Sequence, residues 1–287
     1  MKIRNLLLVL VGATMLAGCG KTDTSKNNSE DVKSSEEIKS TDEVKSSSEK
    51  ESPSSVESPS VEDSSTNAEE VLNDDISEFL AANLNDVVTV RTFVQAKQSW
   101  WENKASIYTQ TTDGGVFIYN MPITLDEYEF LEPGTFIEVT GTKTEYRGEL
   151  EIADVTSFRI LDGLAYIAAP LDVTDLLGTD NLIKHQNEYV SFTGLRIEAS
   201  FAEGSDEEVP FLYNWNGSGD RGNDLYFKAS VDGKTFQFTV ESYLCGADTD
   251  VYKAVEALKI GDYVNLTGFL YWYDGANPHI TEVTILG

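Results

Sequence analysis

Two stretches of the chain alternate apolar and polar residues in the same way. Residues 131–158 read LEPGTFIEVTGTKTEYRGELEIADVTSF, and residues 258–287 read LKIGDYVNLTGFLYWYDGANPHITEVTILG. At an offset of 127 positions Leu131 meets Leu258, Gly134 meets Gly261 and Thr140-Gly141 meets Thr267-Gly268. Tyr146 then meets Tyr273, and Gly148 meets Gly275. A repeat at fixed offset means two copies of one structural unit. Ile137 and Val139 alternate with Glu138 and Thr140, as Val264 and Leu266 do with Asn265 and Thr267, the pattern of a half-buried strand. Gly141 and Gly268 end these runs where a strand bends or bulges. Arg147-Gly148 and Asp274-Gly275 then close hairpins, and Ile280, Val283 and Ile285 start the returning strand.

Upstream of each copy lie three more strand-like runs: 87–97, 105–111 and 115–119 in the first, and 189–199, 224–231 and 235–240 in the second. Asp113-Gly114 and Asp232-Gly233 turns link the second and third run of each set. Helices are expected at four places. One covers 68–84, with Val71, Ile76, Phe79 and Leu80 as an imperfect apolar face, and another covers 172–186. A third covers 251–259, capped by Asp248, with Val251, Val255 and Leu258 at helical spacing. A shorter turn follows the capping box of Thr124 and Glu127.

The pattern L-x-x-G-[DT]-x-[VI]-x-[VL]-T-G followed by a tyrosine-bearing hairpin resembles strands four and five of a bacterial OB-fold. The upstream runs fit its other three strands, and 251–259 fits its helix between strands three and four. The resemblance spans about residues 67–287. It implies an all-β chain with minor helix, in which two five-stranded barrels, 67–164 and 165–287, stand in tandem, joined near residues 163–170. OB-folds host many ligands, so fold alone names none.

The N-terminus is another material. Lys2 and Arg4 precede an apolar core, 6–16, closed by Leu16-Ala17-Gly18-Cys19. This resembles a bacterial lipobox, which implies cleavage before Cys19, its diacylation and an extracytoplasmic address at the membrane. Two acyl chains anchor stably where one is marginal. Residues 20–66 are rich in Ser, Glu, Lys and Thr. Val32, Ile38 and Val44 recur there at six-residue intervals, each followed by Lys-Ser. Such a tract buries too little apolar surface to offset chain ordering and reads as a disordered tether. Taken together, signal, tether and barrels resemble the tandem OB-fold lipoproteins of Gram-positive-type bacteria.

The formal net charge is −28. The part after residue 66 carries thirteen Lys and Arg against 37 Asp and Glu. A field this negative repels polyanions, which counts against nucleic acid unless Lys97, Lys104 and Arg147 gather locally. With Cys19 lipidated, Cys245 has no partner for an intrachain disulfide and reads as a small buried hydrophobe. His185 and His279 are the only histidines, and His279 reads as a hydrogen-bonded turn residue. Hydrolase, zinc and phosphate-loop motifs are absent from the sequence, so no catalytic residue, metal ligand or cofactor is expected. Asn214, Asn216, Ser218, Asp220, Asn223 and Asp224 alternate oxygens as a calcium loop would. They lack its acidic first position and bidentate glutamate, and a plain Gly/Asn turn is expected.

The aromatics are the candidate site. Trp100 and Trp101 fall in the loop between strands one and two, and Tyr146 in the strand four–five hairpin. Tyr213 and Trp215, then Tyr271, Trp272 and Tyr273, occupy the corresponding places of the second copy. The resemblance implies that these loops flank the ligand face, where flat rings stack on sugars or bases. Acidic neighbours such as Glu102 and Asp274 favour sugars. The competing reading is that half of these rings plug barrel ends or join the modules. The expectation is a non-enzymatic, membrane-anchored binding protein for an oligosaccharide or cell-wall glycan. A protein-binding scaffold and a single-stranded nucleic-acid binder associated with extracellular nucleases are the alternatives.

Overall fold

The computed structural model of the chain describes residues 68–286, which lie within one compact unit. The expected lipobox with Cys19 and the expected tether fall outside the described residues. In the first half, β1 (Val87–Lys97), β2 (Lys104–Thr111), β3 (Gly114–Pro122), β4 (Thr135–Tyr146) and β5 (Glu149–Ala165) close into a barrel of order β1-β2-β3-β5-β4. The β1–β4 ladder shuts it, and β3 meets β5 in parallel at Phe117 and Ile118.

The second half repeats this order with β7 (Tyr189–Glu198), β9 (Leu225–Val231), β10 (Lys234–Val240), β11 (Tyr263–Phe269) and β12 (His279–Leu286). Pairing of β7 with β9 at Arg196, Ile197 and Glu198 closes the sheet, and β10 meets β12 in parallel at Thr239 and His279. Two short strands, β6 (Leu171–Asp172) beside β7 and β8 (Phe211–Tyr213) beside β9, extend it. Both closed sheets have the strand order of an OB-type barrel.

The alternation predicts the inward faces. Ile137, Val139, Val264 and Leu266 are fully buried, each in the core of its own barrel. Gly141 and Gly268 sit at register breaks of β4 and β11 against their hairpin partners. Neither position has room for a methyl group. A Cβ on Gly268 would stand 2.1 Å from the His279 carbonyl oxygen, and one on Gly141 would stand 2.7 Å from that of Ala153.

The helices depart from expectation in instructive ways. α1 (Ala68–Ala81) buries Ile76 and Phe79 in the first core but leaves Leu80 57% exposed. It is tied down by ions: Arg91 donates to both carboxylate oxygens of Asp75, and the Lys143 ammonium donates to the carbonyls of Leu80 and Ala82. Those carbonyls at the helix end otherwise lack intrahelical donors. The capping box of Thr124 and Glu127 forms and starts α2 (Leu125–Phe130). α3 (Asp250–Glu256) buries Val251 and Val255, but its cap is Thr249, whose hydroxyl accepts from the Tyr252 N–H, rather than Asp248.

The helix expected over 172–186 does not form. The Asp172 carboxylate accepts from the N–H and hydroxyl of Thr174, a local turn that competes with helix, and Gly178 takes φ +73°. Two 3₁₀ turns, Thr174–Leu176 and Leu182–His185, remain. The turn between β2 and β3 also shifts: Thr111 pairs with Gly114, so Thr112-Asp113 form the loop, whereas Asp232-Gly233 do so between β9 and β10.

Candidate functional site

The two barrels share a buried seam. Tyr108 of β2 and Phe117 of β3 point away from their own barrel core and join Phe269 of β11 in one aromatic cluster, with Tyr189 and Tyr271 packed against it. Tyr108 stacks on Phe269 at 4.4 Å between ring centroids, and its hydroxyl meets His279 Nδ1 at 2.8 Å. Gln110 Oε1 accepts from the Tyr189 N–H, and Gln186 clasps Gly148 and Leu150 through both ends of its amide. A lone OB barrel offers ligands the face of its second and third strands. Here the second barrel covers much of that face on the first.

The hairpin tips are also spent on each other. Arg147 pairs with Asp274 at 2.9 Å, and the Asp274 N–H donates to the Arg147 carbonyl. Tyr146 and Tyr273, equivalent in the repeat, meet edge to face at 6.0 Å. Copies of one hairpin therefore dock on one another at matching residues.

One cleft, of about 430 Å³, opens at the margin of the seam; another, of about 510 Å³, lies where Gly114 and Gly148 face Lys184 and Glu188. The first wall of the cleft at the seam is the β1–β2 connection, where Trp101 and Lys104 pair across a two-residue turn. Glu102 and Asn103 both take positive φ there, as the tightest hairpin turns require. That turn lifts Trp101 into solvent, 69% exposed. Tyr119 and Asn120 at the end of β3 continue the wall. The second barrel supplies Glu241, Tyr243, Tyr271 and His279. The walls are stitched by Ser99, whose N–H and hydroxyl donate to the Tyr243 carbonyl, and by Gln98, which donates to Glu241 Oε2 at 3.1 Å. Lys104, Tyr119 and Asn120 also line a shallower groove running on to Tyr146.

Of the expected aromatics, Trp101 lines the cleft and Tyr146 the groove beyond it. Trp100 does not reach either: its ring packs on the first core and its Nε1 donates to the Ile123 carbonyl at 2.9 Å. Trp272 packs on the second core, with its N–H on Glu149 Oε2. Tyr213 belongs to β8, and its hydroxyl donates to Glu256 of α3 at 2.7 Å. Trp215 is exposed in the loop beyond, lining neither cleft nor groove, and Tyr273 is engaged by Tyr146 and Arg147. The sequence reading passed over Tyr119, Tyr243 and Glu241. Only the meeting of the two barrels brings them together.

Burial governs the seam's ionisation. Desolvation pushes the Glu149 carboxyl up to about 8 and, with the Asp224 carboxylate nearby, that of Glu241 up to about 7. Glu151 is also raised by burial. Burial lowers His279 to about 3, so its imidazole is neutral, consistent with a ring stacked on Tyr271 and bonded to Tyr108. His279 is thus a packed hydrogen-bonding residue, as expected, although it opens β12 rather than standing in a turn. Cys245 is buried in the second core with its thiol pushed up to about 12.

In the oxygen-rich loop near Asn214, three side-chain oxygens are taken by the protein's own donors. Asn216 Oδ1 accepts from the Ser218 N–H, Asn223 Oδ1 from the Asp220 N–H, and Asp224 from Ser242. Among the described residues no cluster of three acidic, His or Cys side chains could hold a metal ion.

These features define the class: two OB-type barrels fused through their faces, with an aromatic cleft at the joint. No protein-family profile and no curated protein matches the sequence. Among solved structures, the chain is similar to the p204 HINb domain at 12% identity, covering 71% of this chain and 100% of that one with a TM-score of 0.33. It is similar to a murine DNA-binding protein solved with double-stranded DNA at 8% identity, covering 69% and 96% with a TM-score of 0.34. The Escherichia coli protein ygiW matches 30% of this chain and 86% of its own at 15% identity and a TM-score of 0.23. These likenesses extend to neither ligand nor activity.

Proposed function

We propose that the chain is a lipid-anchored extracytoplasmic binding protein, attached at Cys19, whose barrel–barrel cleft takes an oligosaccharide without transforming it. The observation that supports the ligand class is the lining of the cleft. Trp101, Tyr119, Tyr243 and Tyr271 offer flat apolar rings, while Gln98, Ser99, Ser106, Asn120 and Glu241 offer hydrogen-bonding groups. Sugars present both an apolar face and a rim of hydroxyls, and such walls match them.

The same residues weigh against a polyanion. Lys97 is occupied by the Tyr128 carbonyl at 2.7 Å and by the Tyr128 ring, and Arg147 by Asp274. Lys104 alone of the three lines the cleft, opposite a carboxylate-bearing wall. Catalysis is disfavoured because the cleft's histidine is buried, neutral and committed to Tyr108.

The test is glycan-array screening and calorimetry on the soluble chain beginning at Gly20. Trp101→Ala is expected to weaken oligosaccharide binding by about tenfold or more, the scale of losing one stacked ring. Trp215→Ala, remote from the cleft, is expected to leave it unchanged. Equal effects of the two would overturn the assignment. For the anchor, Cys19→Ala is expected to release the protein from the membrane fraction and abolish incorporation of labelled palmitate.

A further inference from the structure

Glu241 lines the cleft while only 9% exposed. Its carboxylate receives the Gln98 amide and the N–H groups of Tyr243 and Leu244, all of them neutral donors. The charged group that bears on it most is of the same sign, Asp224, which two bonds from Ser242 fix in place. No Lys, Arg or His among the described residues forms an ion pair with Glu241. Lys104 lines the cleft too, but on the side that opens into the groove toward Tyr146, where Glu241 takes no part. The neighbouring imidazole of His279 is neutral.

A buried carboxylate beside a like charge is costly, and proteins ordinarily pair it. Where they do not, the missing cation is a candidate for the ligand. The rings around Glu241 agree. The protein's own cations sit over Tyr128, Phe79, Tyr273 and Tyr252. None of those four rings lines the cleft, so the rings of Trp101, Tyr119 and Tyr243 remain for a ligand's positive charge, while Tyr271 is stacked on His279. Aromatic walls around a carboxylate are the chemistry that receives an ammonium group.

We infer that the ligand carries a protonated amine, which ion-pairs with Glu241 among the cleft's aromatic rings. Resting on the glycan reading above, this makes the ligand an oligosaccharide with free amino groups. One amine of the chain lies at the Glu241 wall, and the rest runs past Tyr119 and Asn120.

Calorimetry near neutral pH on the chain beginning at Gly20 compares a glucosamine tetramer with its fully N-acetylated counterpart. The two share a backbone and differ in charge. The amine form is expected to bind at least about tenfold more tightly, with the preference shrinking as salt is added. Glu241→Gln, which keeps the shape and the Gln98 contact, is expected to bring the two within about twofold. A circular dichroism spectrum and a melting transition like those of the unaltered chain show that the variant is folded. Equal binding of both tetramers by the unaltered chain would overturn the amine while leaving the glycan reading intact. A preference that survives in Glu241→Gln would overturn the role of this carboxylate. Binding of neither tetramer would overturn both.

Discussion

Glu149 shows at a single residue what joining the barrels costs. It is fully buried, with one oxygen taken by the Trp272 N–H and the other without a partner among the described residues. Beside it Asn187 Oδ1 is a buried acceptor likewise lacking a donor, and although hydrogen bonding from the Asn187 side chain and the Trp272 N–H favours the carboxylate, desolvation outweighs it. A protonated carboxyl supplies an O–H, so the neutral form suits the site. The folded chain thus holds a proton that the unfolded chain gives up above about pH 4.5, and stability falls as pH rises from there to about 8. The full span is worth on the order of 4 kcal/mol. Glu149→Gln is expected to match the unaltered chain near pH 5 within about 1 kcal/mol and to exceed it by about 2–4 kcal/mol near pH 8. Urea melts at the two pH values check this; a gain of equal size at both would show that charge is not the cause. His279 runs the other way. Its folded pKa near 3 lies below the ordinary 6.5, so its contribution is intact above 6.5 and is lost as pH falls toward 3. Nitrogen-detected NMR should find the His279 ring neutral throughout about pH 5–8. Neither shift was legible in the sequence, because both come from burial at a seam that forms only when segments more than a hundred positions apart meet.

At the scale of elements, sequence and structure agree where a period of two meets a closed barrel. β1 forms over the run read from alternation, and the other strands agree within a few residues. In a barrel one face of every strand must be apolar, so the pattern leaves little freedom. The segment 172–186 defeated the same reasoning, since its apolar spacing is real but Asp172 and Thr174 bond locally and Leu171-Asp172 pair with β7. Propensity lost to tertiary pairing there. The repeated glycine of β4 and β11 was read for the right reason, and its two copies differ in what surrounds them. A Cβ on Gly268 meets only backbone, whereas on Gly141 its nearest neighbour is the Ile152 side chain. Gly268→Ala is therefore expected to cost about 3 kcal/mol or more and Gly141→Ala less, about 2 kcal/mol, because the first meets three backbone atoms under 3.0 Å, the nearest at 2.1 Å, and the second only one, the Ala153 oxygen at 2.7 Å. Denaturant titration of both variants ranks them; the reverse order would mean the bulges are not what the glycines serve.

At the scale of the molecule, the tandem acts as one body because the second barrel packs on the face that the first, standing alone, would offer to a ligand. Sequence reasoning placed the aromatics of both copies at ligand loops, yet Trp272 packs on the second core and Trp100 on the first, and the cleft arose from residues of both halves. Two barrels related by a repeat look alike in sequence, and nothing in either copy states which face meets which. Gly115 is the place to separate them. A Cβ there would stand 2.3 Å from the Asn187 carbonyl carbon and oxygen and 2.7 Å from the Glu188 nitrogen, all backbone of the second half. Gly115→Ala cannot be absorbed by a rotamer, so the expected relief is movement of one barrel against the other. The unaltered chain is expected to unfold in a single transition, with both cores lost together. In Gly115→Ala that transition should split in two, with β content retained by circular dichroism and a larger radius of gyration by small-angle scattering. Binding at the cleft should fall in the same variant, because Trp101 and Glu241 stand on opposite walls and face one ligand only while the seam is shut.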